Sequence, residues 1–470
     1  MKKTKIIATL GPSTDKEGVL RGILEAGVDV VRFNMSHGDY AEHAGRMAQV
    51  KALREELGLP IAALLDTKGP EIRTGNFAEP VVLEEGQKFT LYTNDHPGDK
   101  DGCYITYAGL PRDVSIGQRI LIDDGLVGMV VDSITDNEIR CTVQNGGKVS
   151  SHKGINCPET HFSMPYLSDK DRDDLSFGKE QGFDYIAASF VRCADDVRCL
   201  RYELDRIGWK SVKVISKIEN AEGVANMDEI IALSDGIMVA RGDMGVEIAL
   251  EEIPVVQKQL IKKTVSVGKV VVTATQMLDS MIYNPRPTRA EATDVANAIY
   301  DGTTAIMLSG ETAAGKYPVE TVRTMASIAK RTESDIDYLK RFHNMQNIGD
   351  RTTTTAISHA TVMTAQEIGA AAIVTLTESG FTARMVSRFM PRCLIIATTP
   401  NEGVCRQMNL LWGVMPMLVP EKNNTDELFA AAVEAAVKHD AIKRGDRLVL
   451  TAGLPLGSSG STNMIKVQDV

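Results

Sequence analysis

The 470 residues exceed the length at which one hydrophobic core usually keeps growing, so we expect two or three domains. Hydrophobic residues make up 43% of the chain and charged residues 24%, which is ordinary for a globular protein. The formal net charge of −10 disfavours nucleic acid and anionic membrane surfaces as partners, so an anionic ligand would need a local basic pocket.

Cysteine usage and the N-terminus indicate the compartment. The 7 cysteines are scattered and form no CxxC motif, which favours reduced thiols. The N-terminal apolar run is too short for a signal peptide, and no apolar run approaches membrane-spanning length. We therefore expect a cytoplasmic protein with no membrane partner.

The first part of the chain alternates strand and helix patterns. Continuous β-branched and apolar runs predict buried strands over Lys5–Gly11, Val28–Asn34 and Ile61–Thr67. Helical spacing follows the first two strands, and Ser13 is the expected N-cap of the first helix. From Glu71 to Met164 the pattern changes to short β runs between Gly, Asp and Asn turns, which indicates an inserted all-β domain.

The strand–helix alternation then resumes. Five more strands are predicted over Asp184–Phe190, Val212–Asn220, Gly236–Gly245, Lys269–Gln276 and Thr304–Gly310. Together with the first three they make eight β/α units, which favour a closed eight-stranded (TIM) barrel; an open doubly wound sheet is the alternative.

A polar stretch over 341–355 predicts a linker into a further α/β domain, in which strands and helices alternate to the end of the chain. The expected α/β protein thus has three parts. They are a barrel over 1–70 and 165–342, a small all-β lid over 71–164, and a C-terminal α/β regulatory domain over 343–470.

Charged side chains follow two neighbouring strands, with Lys217 and Glu219 on one and Arg241 and Asp243 on the next. Functional groups of β/α barrels gather at the carboxyl ends of the strands, so these residues form a candidate hard-cation site beside an electrophile. An internal salt bridge that caps both strands is the alternative. The same rule adds Arg32–Asn34, Asp66–Lys68, Ser189, Thr275 and Ser309 to this end of the barrel.

Two opposite sets of charges therefore meet at one pocket. Its cations suit phosphate oxygens, and the two carboxylates Glu219 and Asp243 suit Mg²⁺. Cations and Mg²⁺ around one pocket are typical of phosphoryl transfer. The sequence has neither a GxxxxGK[ST] loop nor an HRD/DFG set, which excludes the two common nucleotide-kinase designs. The cations of this set are Arg32, Arg73, Lys153 and Lys217.

Seven segments carry a resemblance to a known family: VRFNMSHG, LLDTKGPEIRTG, ISKIEN, MVARGDMG, TATQMLDSM, NPRPTRAEATDVANAIYDGT and MLSGET. They are similar to the motifs of pyruvate kinases, and the resemblance covers the whole chain. It implies that a phosphoryl group passes from phosphoenolpyruvate to ADP, giving pyruvate and ATP. It further implies Mg²⁺ and K⁺ as cofactors, a phosphorylated effector and a homotetramer.

The resemblance also implies roles for individual residues. Lys217 resembles the lysine that steadies the transferring phosphoryl group, Arg32 the phosphate clamp, and Thr275 the hydroxyl of the proton relay to the enolpyruvate carbon. The implied substrate pocket comprises Arg32, Lys217, Gly242, Asp243 and Thr275. The implied nucleotide contacts are Asn34, His37, Arg73 and Lys153, and the implied Mg²⁺ ligands are Glu219 and Asp243.

A monovalent cation site is implied as well. In the family, members with glutamate after the Gly-Pro of DTKGPE need K⁺, whereas members with lysine there do not; this chain has Glu71. A lysine ammonium can supply the positive charge that K⁺ otherwise brings. The implied K⁺ ligands are Asn34, Ser36, Asp66 and Thr67.

The segment Thr375–Phe389 predicts a strand, a hydroxyl- and glycine-bearing loop and a helix, an arrangement that suits a phosphate. An ordinary capped helix is the alternative. Allosteric pyruvate kinases bind a sugar phosphate at the matching loop, and Leu454–Asn463 resembles the loop that closes over it. Glu378 adds like charge beside a bisphosphate, so we expect a hexose or pentose monophosphate or AMP as effector. The candidate effector residues are Thr377, Ser379, Gly380 and Thr382.

Two other functions remain open from the residues. One is a Mg²⁺-dependent lyase or aldolase that enolises pyruvate without a nucleotide, against which Arg73, Lys153 and the inserted domain argue. The other is a catalytically silent metabolite sensor, which is disfavoured by the intact set Lys217, Glu219, Asp243 and Thr275.

Overall fold

The computed structural model describes residues 2–345, 352–422, 424–455 and 460–470. Eight parallel strands, each paired with the next, close into a barrel. The predicted barrel is confirmed, and the open sheet is excluded. In chain order the barrel strands are Lys5–Thr9, Val30–Asn34, Ala62–Asp66, Tyr185–Ala188, Lys213–Ile218, Gly236–Ala240, Val270–Ala274 and Ala305–Leu308.

Both faces of the barrel strands are buried, which explains their nearly continuous apolar sequence. Alternate side chains such as Ile7, Leu64 and Met238 belong to one packed cluster, while neighbours such as Ile6 and Leu65 pack in another with the surrounding helices. The strands therefore form a rigid support for the groups at their ends.

Helices surround the barrel. The first begins at Val19 rather than after Ser13, because Gly18, with a φ of 75°, precedes it. The prediction of Ser13 as an N-cap was wrong, since its hydroxyl donates instead to the carbonyl of Gly315 at 2.8 Å. The helices of this domain are Val19–Glu25, Tyr40–Leu57, Asp169–Gln181, Ala194–Arg206, Ala221–Ala225, Met227–Leu233, Arg241–Glu247, Ile253–Ser266, Arg289–Asp301, Gly310–Ala313, Pro318–Asp335 and Tyr338–Asn344, with 3₁₀ turns at Leu250–Glu252 and Asp279–Ile282.

The inserted domain lies between the third and fourth barrel strands. It consists of β-strands and one short helix, as predicted apart from that helix. Its first and last strands pair antiparallel, so both connections to the barrel leave the domain side by side. The seven-stranded sheet has the order Ile72–Arg73, Gly154–Asn156, Arg119–Ile122, Val127–Ile134, Glu138–Asn145, Lys88–Tyr92 and Gly102–Tyr104. Val81–Leu83 and Gly147–Val149 form a separate pair, and Leu110–Asp113 is a short helix.

The C-terminal domain is a five-stranded sheet with helices, as predicted, in the spatial order Val414–Leu418, Leu394–Thr399, Ala372–Leu376, Arg447–Ala452 and Met464–Asp469. The last strand is antiparallel and was not predicted, because its half-exposed residues show no continuous apolar run. The helices are Thr353–Glu367, Phe381–Ser387, Glu402–Met408 and Thr425–Lys438.

The domain limits stay predictions, and the helix Tyr338–Asn344 crosses the boundary placed between residues 342 and 343. Phe342 on this helix packs edge-on against Phe389 of the C-terminal domain, with ring centroids 6.1 Å apart. Within the described ranges, no helix is both long and apolar enough to cross a membrane.

One buried carboxylate joins the C-terminal domain to the barrel. Asp184, only 3% exposed, precedes the fourth barrel strand. Its Oδ1 accepts a hydrogen bond from Arg406 Nε at 2.9 Å, and its Oδ2 accepts from the Ala63 N–H at 2.9 Å and from Arg54 Nη2 at 3.4 Å. The ion pair thus holds the helix Glu402–Met408 against the amino ends of the strands.

Replacing this carboxylate should destabilise the protein. Asp184→Asn removes the buried carboxylate that pairs with both Arg54 and Arg406, and we expect the free energy of unfolding to fall by about 3 kcal/mol. The matched control is Asp195→Asn, which breaks the exposed ion pair with Arg198 and should cost less than about 1 kcal/mol. Denaturant unfolding followed by circular dichroism checks both, and equal stabilities of the two variants would contradict the expectation.

Candidate active site

The ammonium group of Lys217 lies at the centre of the carboxyl ends of the barrel strands. Its Nζ donates to Ser189 Oγ at 2.8 Å and to Asp66 Oδ1 at 3.2 Å, and it lies 3.0 Å from Glu219 Oε1. Asp66 ends the third strand, Ser189 follows the fourth, and Lys217 belongs to the fifth. Three strands therefore fix one buried cation.

Asp66 connects this cation to a second one. Arg32 Nε donates to Asp66 Oδ2 at 2.6 Å, and Arg32 Nη1 donates to Thr9 Oγ1 at 3.0 Å. Burial works against ionisation of Asp66, but Arg32 and Lys217 outweigh it and lower the pKa of that carboxyl below its usual value. Burial likewise opposes the charge of Lys217, but Asp66 and Glu219 raise the pKa of Lys217 above that of an ordinary lysine.

Glu219 is fully buried, and only one of its oxygens is satisfied. Its Oε2 accepts the Phe190 N–H at 2.6 Å, whereas Oε1 makes no hydrogen bond despite its closeness to Lys217. Burial, reinforced by Asp243 and opposed by Lys217, raises the pKa of Glu219 to about 7. A second cation would relieve both the unsatisfied oxygen and the repulsion between these carboxylates.

The donor set fits a magnesium ion. Among the described residues no group of three or more His, Cys, Asp or Glu side chains forms a metal site. Mg²⁺ needs no such group, because it binds through one or two carboxylates and keeps water and substrate oxygens. The pair Glu219 and Asp243, with the unsatisfied Oε1, supplies that number.

The candidate substrate-pocket residues Gly242 and Thr275 contact each other. Gly242 N–H donates to Thr275 Oγ1 at 2.8 Å, and the same hydroxyl donates to the Ala274 carbonyl at 2.7 Å. Thr275 has a φ of 64°, a left-handed conformation that costs a non-glycine residue on the order of 1–3 kcal/mol. The surroundings therefore impose this conformation.

Arg241 holds the end of the seventh strand in this shape. Its Nη2 donates to the Thr275 carbonyl at 2.7 Å and its Nε to the Ala274 carbonyl at 3.2 Å. Asp294, on the helix Arg289–Asp301, holds the guanidinium at 2.7 and 2.8 Å. Sequence reasoning placed Arg241 at the site but missed Asp294, since no spacing pairs residues that lie so far apart in the chain.

The candidate nucleotide residues come from both sides of the cleft. Arg73 lies on one of the two paired strands at the base of the lid, and Lys153 directly precedes the other. Arg73 Nε donates to Glu71 Oε2 at 2.8 Å, and Lys153 Nζ donates to Asp123 Oδ1 at 2.9 Å. His37 is exposed on the barrel side, and its carbonyl lies 2.9 Å from a ring nitrogen of His43.

The candidate K⁺ ligands cluster at the ends of the second and third strands. Asn34 pairs in register with Asp66, and Asn34 Oδ1 accepts the Ser36 N–H at 3.1 Å. The Thr67 carbonyl accepts the Ser189 hydroxyl at 2.6 Å. The set is made of oxygen atoms throughout, which suits a hard monovalent cation, and Asp66 already accepts from Arg32 Nε and Lys217 Nζ.

The candidate effector residues form a loop and the start of the helix Phe381–Ser387. The Thr377 N–H donates to the Thr398 carbonyl at 3.0 Å, and Gly380 has the left-handed φ of 79°. Thr382 is buried, with its hydroxyl 3.0 Å from that of Thr462. Ser379 is exposed, and residues 456–459 of the loop expected to close over it lie outside the described residues.

Comparison with known proteins identifies the family of the chain. A family model described as pyruvate kinase, barrel domain, matches residues 1–322, and one described as pyruvate kinase, alpha/beta domain, matches residues 355–468. A pyruvate kinase from Clostridium acetobutylicum is 48% identical over 100% of both chains. Pyruvate kinases from Geobacillus stearothermophilus and Clostridium perfringens are 49% and 46% identical, over 99% and 100% of this chain and 80% and 100% of their own length. The chain therefore belongs to the pyruvate kinase family, whose members are phosphotransferases.

Proposed function

We propose that the protein transfers the phosphoryl group of phosphoenolpyruvate to ADP and releases pyruvate and ATP. The observation that carries the proposal is the buried ammonium of Lys217, fixed by Asp66, Ser189 and Glu219 at the mouth of the barrel. Membership of the pyruvate kinase family supports the same reaction. We also propose that it acts in the cytoplasm as a homotetramer, on the resemblance alone.

The proposed reaction breaks the bond between phosphorus and the enol oxygen of phosphoenolpyruvate. A terminal oxygen of ADP bonds to the phosphorus, and the electron pair left on the enol oxygen gives an enolate that takes a proton on carbon. Lys217 and Arg32 would stabilise the charge on the phosphoryl oxygens, which supplies most of the rate in phosphoryl transfer. Glu219 and Asp243 would hold Mg²⁺, which adds positive charge at the phosphate oxygens when bound.

Thr275 suits a positioning role in the protonation step. A threonine hydroxyl is a poor acid, and this one already donates to the Ala274 carbonyl while it accepts from Gly242. We propose that it orders a water molecule that delivers the proton to the enolate. On the lid side, Arg73 and Lys153 would contact the phosphates of ADP.

One assay separates this reaction from its rivals. Pyruvate formation from phosphoenolpyruvate is measured with and without ADP by coupling to lactate dehydrogenase. The proposal requires ADP-dependent pyruvate. Pyruvate without ADP would indicate a lyase or a phosphatase, and absence of pyruvate would indicate a metabolite sensor.

Lys217→Ala should lower kcat by about a thousandfold, because its charge acts on the transferring group in the transition state. The matched control is Lys213→Ala at the other end of the same strand, which should stay within about twofold of the parent. Steady-state kinetics with both substrates saturating checks the pair. A loss of less than about tenfold, or 1.4 kcal/mol, would reject the role of Lys217.

We propose that K⁺ binds among Asn34, Ser36, Asp66 and Thr67, and that Glu71 makes this cation necessary. Glu71→Lys should leave appreciable activity in K⁺-free buffer, since the new ammonium replaces the missing charge. Glu71→Gln is the control; it removes the same negative charge without adding an ammonium and should keep the K⁺ requirement. Initial rates with and without K⁺ decide the matter, and a parent enzyme indifferent to K⁺ would contradict the proposal.

We propose a monophosphate or AMP effector at Thr377, Ser379, Gly380 and Thr382, with Glu378 disfavouring a bisphosphate. Such an effector should shift a sigmoidal phosphoenolpyruvate curve to lower concentration, and Glu378→Lys should extend the response to fructose 1,6-bisphosphate. Glu367→Lys, an exposed site on a neighbouring helix, is the control for added charge. Equal activation of the parent by the bisphosphate would refute the charge argument, and indifference to every ligand would favour a capped helix.

A further inference from the structure

A hydrogen bond crosses the cleft between the lid and the barrel. Asn156, at the end of a lid strand, donates from Nδ2 to Oε1 of Glu247 at 2.8 Å. Glu247 is the last residue of the helix Arg241–Glu247, and both partners are partly shielded from solvent. A hydrogen bond to a charged acceptor is stronger than a neutral one, and shielding strengthens it further.

Both partners are attached to parts of the candidate active site. Glu247 lies four residues after Asp243 on the same short helix, so the two carboxylates share one face, one turn apart. Asn156 lies on the strand Gly154–Asn156, which directly follows Lys153 and pairs with Ile72–Arg73. The hydrogen bond thus holds the lid strands beside Arg73 and Lys153 close to the helix that carries Asp243, the candidate Mg²⁺ ligand.

A lid turn also lies beside the same helix. Gly125, in the lid turn after Asp123 and Asp124, and Val246 of the helix line one pocket. The lid is therefore close to this helix at Val246 as well as at Glu247. Phe162 lies in the segment that leads from the lid back to the barrel, and its carbonyl accepts a hydrogen bond from Arg192 Nη1 of the barrel domain at 3.0 Å.

The cleft brings carboxylates of both domains together. It encloses a cavity of about 370 Å³, which Arg192 also lines, and Glu71 is paired with Arg73. Like charges across a partly buried gap repel each other, and a contact that uses a carboxylate as an acceptor offsets part of that repulsion. Asn156 provides such a contact. The carboxylates are those of Glu71, Asp124, Glu159, Glu222, Asp243 and Glu247.

We propose that Asn156 and Glu247 form a latch that sets the closed position of the lid and thereby the affinity for ADP. Neither residue needs to touch a substrate; both are positioning residues. This inference rests on the proposed phosphoryl transfer, because ADP is expected between the lid cations and the barrel. The candidate phosphoenolpyruvate residues all belong to the barrel, so the latch should affect ADP more than phosphoenolpyruvate.

The test swaps the donor and the acceptor of the hydrogen bond between the lid and the helix. Asn156→Asp sets two carboxylates against each other and should raise KM for ADP by about tenfold or more, with KM for phosphoenolpyruvate within about twofold. Glu247→Gln keeps an acceptor oxygen and should stay within about threefold of the parent. In the double variant the new carboxylate on the lid accepts from the new amide on the helix, so KM for ADP should return to within about threefold of the parent.

Asn137→Asp is the charge-matched control, since it adds the same charge at an exposed lid turn away from the cleft and should leave KM for ADP unchanged. Spectroscopic labels on the lid and the barrel report the closed fraction with Mg²⁺ and ADP, and Asn156→Asp should reduce it. If Asn156→Asp does not fold, Asn156→Ala replaces it and should raise KM for ADP in the same direction.

The outcomes separate the latch from the reaction. A parent without ADP-dependent pyruvate formation overturns the proposed function, and the label distances then judge the latch alone. An active parent with an unchanged KM for ADP in Asn156→Asp overturns the latch. Failure of the double variant to recover ADP affinity, with a parent-like thermal midpoint, overturns it as well.

Discussion

The structure of the candidate active site depends on the carboxylate of Asp66, which is buried between two cations. Arg32 and Lys217 converge on its two oxygens, at 2.6 and 3.2 Å. Buried charges are costly unless they are paired and hydrogen-bonded, and Asp66 provides both kinds of contact for the two cations. In this network Glu219 adds a further carboxylate beside Lys217, and the two carboxylates raise the pKa of Lys217.

The barrel explains how residues from distant parts of the chain reach this network. Parallel strands bring their carboxyl ends to one rim, so groups at the carboxyl ends of the second to the fifth strand meet within hydrogen-bonding distance. The fourth strand has a further role, because Asp184 at its amino end binds Arg406 of the C-terminal domain while Ser189 and Phe190 follow its carboxyl end. One short strand therefore contacts both the C-terminal domain and the active site.

Much of this arrangement could be predicted from sequence, because barrel strands and their charged ends are encoded locally. The run before Lys217 shows a buried strand, and the charge that follows marks its functional end. The C-terminal strand Met464–Asp469 was not predicted, because its residues are half exposed and show no apolar pattern. The ion pair between Arg241 and Asp294 was not predicted either, since it depends on packing between elements that are far apart in sequence. Local signals thus gave the elements and the candidate ligands, whereas the supporting partners required three-dimensional contacts.

The central claim is that Asp66 keeps Lys217 charged for phosphoryl transfer. The most direct measurement is the pH dependence of kcat for the parent and for Asp66→Asn. The pKa of Lys217 is raised by its carboxylate neighbours, so its charge is complete below the raised pKa and is lost as pH increases through it. The parent should hold its rate into the alkaline range, and Asp66→Asn should lose rate at a pH lower by about one unit or more. Coincident alkaline limbs in the two enzymes would contradict the account.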